Sequence, residues 1–449
     1  MTTQQKAGAQ AGRDTEDLDD PTQPTPPKGV TKRGILSALG PGLVTGASDD
    51  DPSGIATYSQ VGSQFGYGLL WTMLFSYPLM AGIQEVSAQI GRVTGRGIAG
   101  NLRRHYAPTW LYLMVGLVLV ANVINLGADI GAMGAAVRLL VGGPALLYAA
   151  GFAALSVALE SLMPYDRYAH LLKWLTLSLL AYVATVFVVH VPWGHALRAT
   201  LLPSFSWKAE YVVSIVAVLG TTISPYLFFW QAEEEVEAAH ANPTDKPLRL
   251  NPRAAPSQLH RIHVDTYTGM AFSNLAAYFI ILTAAATLWA TGHYSIQTST
   301  EAASALGPVA GPYARLLFAL GIVGTGLLAL PVLAGSAAYA VGEALRLPVG
   351  LNRDIGHARG FYAILGGATL IGLALNFHII HLDPIKALFW SAVINGVVAG
   401  PIMVLMLLMA SSPRVMGEFT LNARQKTLGW AATAVMLAAA VALFATWGK

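Results

Sequence analysis

Asp49-Asp50-Asp51-Pro52-Ser53-Gly54 interrupts an otherwise apolar stretch near the start of the chain. A carboxylate at membrane depth is costly unless a cation or water meets it, and such a residue marks a functional site by default. Pro52 removes a backbone donor and breaks the helix beside the aspartates, so carbonyl oxygens are released next to carboxylate oxygens. The combination outlines a cation site. The competing reading is an acidic loop between two ordinary helices. Residues 35–48 span only about 21 Å at ~1.5 Å per residue, short of a ~30 Å hydrocarbon core, so that reading requires a helix that fails to cross.

The rest of the chain fits the membrane setting. Of its 449 residues 54% are hydrophobic and 11% charged, against about 25% charged in a soluble domain. Apolar segments long enough to span a bilayer fall at 35–62, 67–91, 109–139, 144–163, 168–190, 211–238, 262–291, 311–344, 359–378, 383–410 and 427–447. An all-α polytopic protein with eleven transmembrane helices, surrounded by the lipid bilayer, is expected. A net charge of +3, scattered along the chain, argues against a nucleic-acid partner. The chain has no cysteine, which excludes disulfides, thiolate metal ligands and cysteine nucleophiles. Residues 1–33 are polar and proline-rich, contain the acidic run from Asp14 to Asp20 and lack a signal-peptide apolar core, so they read as a disordered cytoplasmic tail.

Orientation follows from the basic residues. With the N-terminus inside, 21 of the 27 Lys and Arg fall on cytoplasmic segments, leaving only Arg138, Arg198, Lys208, Arg315, Lys386 and Lys449 elsewhere. A missed or invented span would invert every later loop, so the imbalance supports both the count and an outside C-terminus. The expected location is the plasma membrane.

Two spans are broken near their middles, the first at Asp51-Pro52-Ser53-Gly54 and the sixth at Thr221-Thr222-Ile223-Ser224-Pro225. The breaks occupy equivalent positions in two five-helix halves, 34–190 and 211–410, with 427–447 as an additional helix. An odd number of helices per half forces the halves to insert in opposite senses, the pattern of an inverted-repeat transporter with broken helices meeting at the midplane.

Asp51, beside the proline, is placed best for the break itself, with Asp49 and Asp50 at its entrance. At the second break two readings of Ser224 are open: a helix serine bonded back to its own carbonyls, or a hydroxyl that faces the site together with the freed carbonyl of Thr221. Tyr226 follows, and Glu233, Glu234, Glu235 and Glu237 read as a cytoplasmic helix end facing water. In the third span Asn122 and Asn125 read as interhelical hydrogen-bonding residues. Asp129 is a proton relay, a water-cavity residue or half of a structural pair. Asn395 in the tenth span is a further polar contact of the same ambiguity. His378 and His381 lie at a loop and read as surface residues.

Gly40-Pro41-Gly42, Asp51-Pro52, Ala56-Thr57, Gln60, Gly62 and Phe65-Gly66-Tyr67 through Leu69-Leu70-Trp71 resemble the first helix of the Nramp divalent-metal transporters, which reads GPG, DPGN, A-T, a glutamine-glycine pair and FGY. Gln84, Ala88, Gly91 and Val93-Thr94-Gly95 resemble the family's second helix, Gly127-Ala128-Asp129 its third, and Gly220 through Pro225 its broken sixth. The resemblance implies a LeuT-like fold of eleven helices, alternating access to a midplane metal site, no resident cofactor, and divalent cations as substrate.

The departures from the family pattern concern the metal. Members carrying Mn²⁺ and Fe²⁺ use Asp and Asn of DPGN and a methionine of the sixth helix. Here Asp51 is kept, the glycine position is Ser53, the asparagine position Gly54 and the methionine position Ser224. Loss of a soft thioether shifts preference toward oxygen-loving ions, and fewer ligating side chains leave room for the waters that Mg²⁺ keeps. The chain is most similar to the Nramp-related magnesium transporters. The family's third-helix glutamate position is Ala132 and its sixth-helix histidine position Tyr226. With Asp129 alone left to titrate, the expectation is uptake of partly hydrated Mg²⁺, with Mn²⁺ second, and weak or no proton coupling; the alternative is a proton-coupled Mn²⁺/Fe²⁺ symporter. A sodium-coupled amino-acid carrier would set its substrate's carboxylate against three aspartates. An intramembrane aspartyl protease using Asp51 and Asp129 leaves the paired broken helices unexplained, so an enzyme is not expected.

Overall fold

The computed structural model describes residues 41–162, 180–240, 245–296, 298–378 and 383–446. The tail at 1–33, Gly40, most of the fifth span and His381 lie outside them, as does the side chain of His378. Among the described residues there is no strand.

The first broken helix consists of α1 (Pro41–Asp49) and α2 (Pro52–Phe65). It is followed by α3 (Trp71–Thr94), the short α4 (Ile98–His105), α5 (Pro108–Val141), α6 (Ala145–Leu162) and α7 (Leu180–Val188). The second broken helix is α8 (Ala209–Thr222) with α9 (Pro225–His240). Then come α10 (Ala255–Thr287), α11 (Ala314–Leu345), α12 (Arg359–His378), α13 (Pro384–Ala410) and α14 (Ala423–Thr446).

Eight described segments are long and apolar enough to cross a membrane. The other three expected spans are the first broken helix, α3, whose second half carries Gln84, Glu85, Gln89 and Arg92, and the fifth, of which α7 is described. Large apolar side chains such as Phe187 (75% exposed) and Phe272 (66% exposed) face outward, as suits a lipid-facing exterior. The seventh helix starts at Ala255 rather than 262. Its polar first turns extend below the apolar stretch, where Arg261 meets the buried carboxylate of Glu235 at 2.5 Å.

Both breaks are written into local chemistry. Asp51 has extended backbone (φ −70°, ψ 171°), its side chain accepts the Gly54 N–H, and Pro52 takes the first helical position. An aspartate cap followed by proline is a strong restart signal for a helix. The second helix stops at Thr222, turns through Ile223 (φ −125°, ψ 60°) and restarts at Pro225.

Close backbone crossings hold the second broken helix in place. Gly220 of α8 lies against the Ala392 carbonyl and Gly396 of α13, and a Cβ on either glycine meets the facing backbone. Gly91 of α3 packs in the same way against the Ala232 carbonyl of α9. Along that α3–α9 seam Gln84 Nε2 donates to the Leu227 carbonyl at 2.8 Å and the Ser87 hydroxyl donates to the Phe228 carbonyl. On the other side α1 and α2 both pack against α10.

Gly220→Val is expected to destabilise the protein by about 1–3 kcal/mol through overpacking of the α8–α13 crossing. The same change at Gly116, which has nothing within 4 Å of its Cβ direction, should leave the unfolding temperature in detergent within error of wild type. Equal effects at the two positions would contradict the packing argument.

Candidate metal site

Asp51 is the centre of the first break. Its Oδ1 accepts the Ser53 hydroxyl at 2.6 Å and the Gly54 N–H at 2.8 Å. Its Oδ2 accepts Asn125 Nδ2 of α5 at 2.9 Å and lies 3.4 Å from the Tyr226 hydroxyl of α9, which is also 3.4 Å from the Ser48 carbonyl. Four donors and the N-terminus of α2 therefore support one carboxylate. Asp51 joins α2, α5 and α9, and all of these side chains are buried.

The other candidates divide into groups. Asp49 and Asp50 turn toward α10, where the Ser273 hydroxyl donates to Asp49 Oδ2 and lies 3.3 Å from Asp50 Oδ1. Gly54 faces Tyr58, and a Cβ built there comes 3.2 Å from the ring and 3.7 Å from Asp51 Oδ1. The Thr221 hydroxyl is 2.8 Å from the Tyr58 hydroxyl and 2.9 Å from the Val218 carbonyl. Tyr58 thus links Gly54 to the second break. The Ser224 hydroxyl lies 2.7 Å from the Gly220 carbonyl and 2.8 Å from that of Thr221, so it is bonded back into its own helix.

Asp129 on α5 and Asn395 on α13 are buried, on helices that pack against each other, and no polar atom of either side chain has a hydrogen-bond partner among the described residues. Asp51 and Asp129 therefore do not form the hydrogen-bonded pair of an aspartyl protease. Among the described residues no three His, Cys, Asp or Glu side chains converge to hold a metal. A cation at this break would rest on one carboxylate, neutral oxygens and water.

Three neighbours of the breaks, Tyr58, Asn125 and Ser273, are not among the residues the sequence singles out for a site. Tyr58 stands one turn after Gly54, so helical spacing carries a signal for it. Asn125 was read only as an interhelical residue. Ser273 has no local signal, because its relation to the aspartates exists only through the packing of α1 on α10.

Three of the four glutamates after the second break do not face water, and Glu234 is half-buried. Glu233, Glu235 and Glu237 are buried, because α9 runs between α3 and α11 down to its last turn. Glu237 accepts the Tyr339 hydroxyl, the Leu351 N–H at 2.8 Å and Asn352 Nδ2 at 2.6 Å. Glu343 of α11 accepts the N–H groups of Gly97 and Gly100 at the start of α4. Arg261 of α10 pairs with Glu235 at 2.5 Å and approaches Asp265 at 4.0 Å, and Asp265 Oδ2 accepts the Gly42 N–H of α1 at 2.8 Å. Gly42, Asp265, Arg261 and Glu235 thus form a polar chain between the two broken helices at the basic end of the bundle.

Residues 42–446 match the sequence model of the family described as natural resistance-associated macrophage protein-like, Nramp. The chain belongs to the Nramp family. It is an integral membrane transporter of divalent metal cations, not an enzyme. Among solved structures it is similar to the Eremococcus coleocola manganese transporter in complex with an aromatic bis-isothiourea substituted compound, at 16% identity and a TM-score of 0.71 over 96% of this chain and 90% of that one. MhsT in complex with L-phenylalanine aligns at 14% identity and a TM-score of 0.62 over 93% of this chain and 100% of that one. MHP1, a nucleobase-cation-symport-1 family transporter, aligns at 14% identity and a TM-score of 0.56 over 96% of each chain. This Nramp chain therefore has the LeuT-like fold that its family resemblance implies.

Arg261→Ala is expected to cost about 3–5 kcal/mol, because it leaves the buried Glu235 without its counter-charge. Adding Glu235→Gln should recover most of the loss in thermal unfolding. A single variant as stable as wild type would show that the pair carries no stability.

Proposed function

We propose that the chain imports divalent cations by alternating access, taking Mg²⁺ before Mn²⁺, with the ion held partly hydrated at Asp51. The observation that carries this reading is the makeup of the break. Asp51 is the carboxylate at its centre, Gly54 has no side chain where the family's manganese and iron carriers place asparagine, and the Ser224 hydroxyl is engaged with its own helix where they place methionine. Without the soft ligand the site loses its basis for favouring transition metals. Mg²⁺ sheds water reluctantly and is commonly bound through one or two carboxylates. Asp49 and Asp50, with Ser273, add acidic oxygens at the entrance that suit a hydrated ion. The neighbouring fold of a manganese transporter supports Mn²⁺ as the second ion.

The same reading assigns residues 34–190 and 211–410 to two oppositely inserted halves, 427–447 to an additional helix and 1–33 to a cytoplasmic tail. The basic end of the bundle then faces the cytoplasm across the plasma membrane. Ala132 and Tyr226 replace titratable family residues, which supports uptake driven by the membrane potential. That drive amounts to about 2.3 kcal/mol per charge per 100 mV, or ~4.6 kcal/mol for a divalent ion.

In proteoliposomes Mn²⁺ uptake should be inhibited by Mg²⁺ at comparable concentration, rise with an inside-negative potential and persist without a pH gradient. Asp51→Ala should abolish uptake of both ions. Indifference to a large excess of Mg²⁺ would refute the hard-cation claim, and strict dependence on a pH gradient would refute the uncoupled one. The double variant Gly54→Asn, Ser224→Met should shift competition toward Mn²⁺ by about tenfold, equivalent to ~1.4 kcal/mol.

A further inference from the structure

Asn125 and Asp129 stand one turn apart on α5, on the face that meets the first break. Asn125 donates Nδ2 to Asp51 Oδ2 at 2.9 Å. An ionised carboxylate oxygen only accepts, so this bond settles the orientation of the amide: the amino group faces Asp51 and the carbonyl oxygen points elsewhere. That oxygen, Oδ1, is buried and has no donor among the described residues. Both carboxylate oxygens of Asp129 are in the same situation, and each of the two residues is 0% exposed.

A buried acceptor without a donor is costly, and native structures seldom keep one without a reason. Here there are three on two successive turns of one helix, next to a fourth oxygen, Asp51 Oδ2, that is held in place. Interhelical hydrogen bonding accounts for Nδ2 of Asn125 and leaves Oδ1 unexplained. The atoms are all acceptors, and what satisfies acceptors in the absence of protein donors is water, including the water a cation retains. The first break, meanwhile, lacks a side-chain amide at Gly54, where the family's manganese and iron carriers supply one.

We propose that Asn125 is a substrate-binding residue that restores the missing amide oxygen from α5, with Oδ1 accepting a hydrogen bond from a water retained by the divalent cation at Asp51. The inference rests on the proposed function and adds a determinant of specificity to it. A ligand reached through water favours an ion that keeps its water. Asn125 therefore selects for Mg²⁺ over Mn²⁺, and its Nδ2 keeps Asp51 turned toward the same ion.

Titration of Mg²⁺ and Mn²⁺ into the purified full chain, with competitive uptake in proteoliposomes, separates this role from simple positioning of Asp51. Asn125→Ala should weaken Mg²⁺ by about tenfold and Mn²⁺ by clearly less, so the ratio of the two affinities changes. Asn125→Ser, whose smaller hydroxyl both donates and accepts, should fall between wild type and Asn125→Ala, and it provides the measurement if the alanine variant does not fold. Placing Gly54→Asn on Asn125→Ala should recover Mn²⁺ binding more than Mg²⁺ binding. Equal weakening of both ions in both single variants would reduce Asn125 to a residue that positions Asp51 and overturn the inference, as would unchanged binding. If wild type binds neither ion, the metal-transport reading fails and this inference with it; wild-type binding with an unchanged Mg²⁺ to Mn²⁺ ratio in the variants overturns this inference alone.

Discussion

The organisation of the protein depends on one helix cap inside the membrane. Pro52 prevents α1 from continuing into α2, and the Asp51 side chain satisfies the Gly54 N–H that the restart exposes. In lipid an unsatisfied backbone group is costly, so a broken helix persists only where side chains and neighbouring helices re-satisfy the freed groups. Asp51 meets that need and so cannot be treated as a cation ligand added to an indifferent scaffold. The same carboxylate holds Ser53, Asn125 and Tyr226. If Asp51 binds the ion as proposed, structure and binding are coupled there: an ion that approaches Asp51 competes with donors that hold three helices together.

The second break is secured differently. The Ser224 hydroxyl turns back to the Gly220 and Thr221 carbonyls, and α9 is fixed from outside by donors on α3 and by glycine crossings. A serine in this position closes the helix end on itself. The break consequently turns Tyr226 toward Asp51 and holds Thr221 on Tyr58. The two breaks contribute unequally, one with a carboxylate and the other with neutral hydroxyl groups, and this asymmetry follows from Ser224 and Gly54 together.

The helices and their breaks were legible because each rests on a local signal: apolar length, an aspartate before a proline, a threonine-rich turn before another. Asp51 could be selected for the same reason. Ser273 and Asn125 were not, since their roles depend on which helix packs against the first break, and neither hydropathy nor charge specifies that. The glutamates of α9 were misread for a related reason. A run such as Glu233-Glu234-Glu235 with Glu237 ordinarily ends in water, and the burial of Glu235 and Glu237 requires partners distant in sequence, Arg261 and Tyr339. Residues in contact across long separations leave little trace in a single sequence unless a motif links them.

The broken helices meet their neighbours and each other through contacts of different kinds. Gly46 of α1 against Gly269 of α10, and Gly91 of α3 against Ala232 of α9, are close backbone approaches, and their attraction falls off steeply with even a small gap. At the basic end α1 and α9, which also touch directly, are linked by the polar chain through Asp265 and Arg261, with the Arg261 side chain 35% exposed. Charged groups can exchange one another for water as they part, whereas packed glycines have no substitute partner. On the proposed alternating-access reading, separation of the two broken helices at this end runs through the charged chain, with α1 remaining on α10 and α9 on α3. The burial of Glu235 limits how freely this happens, because its carboxylate must gain water in the same step in which it loses Arg261.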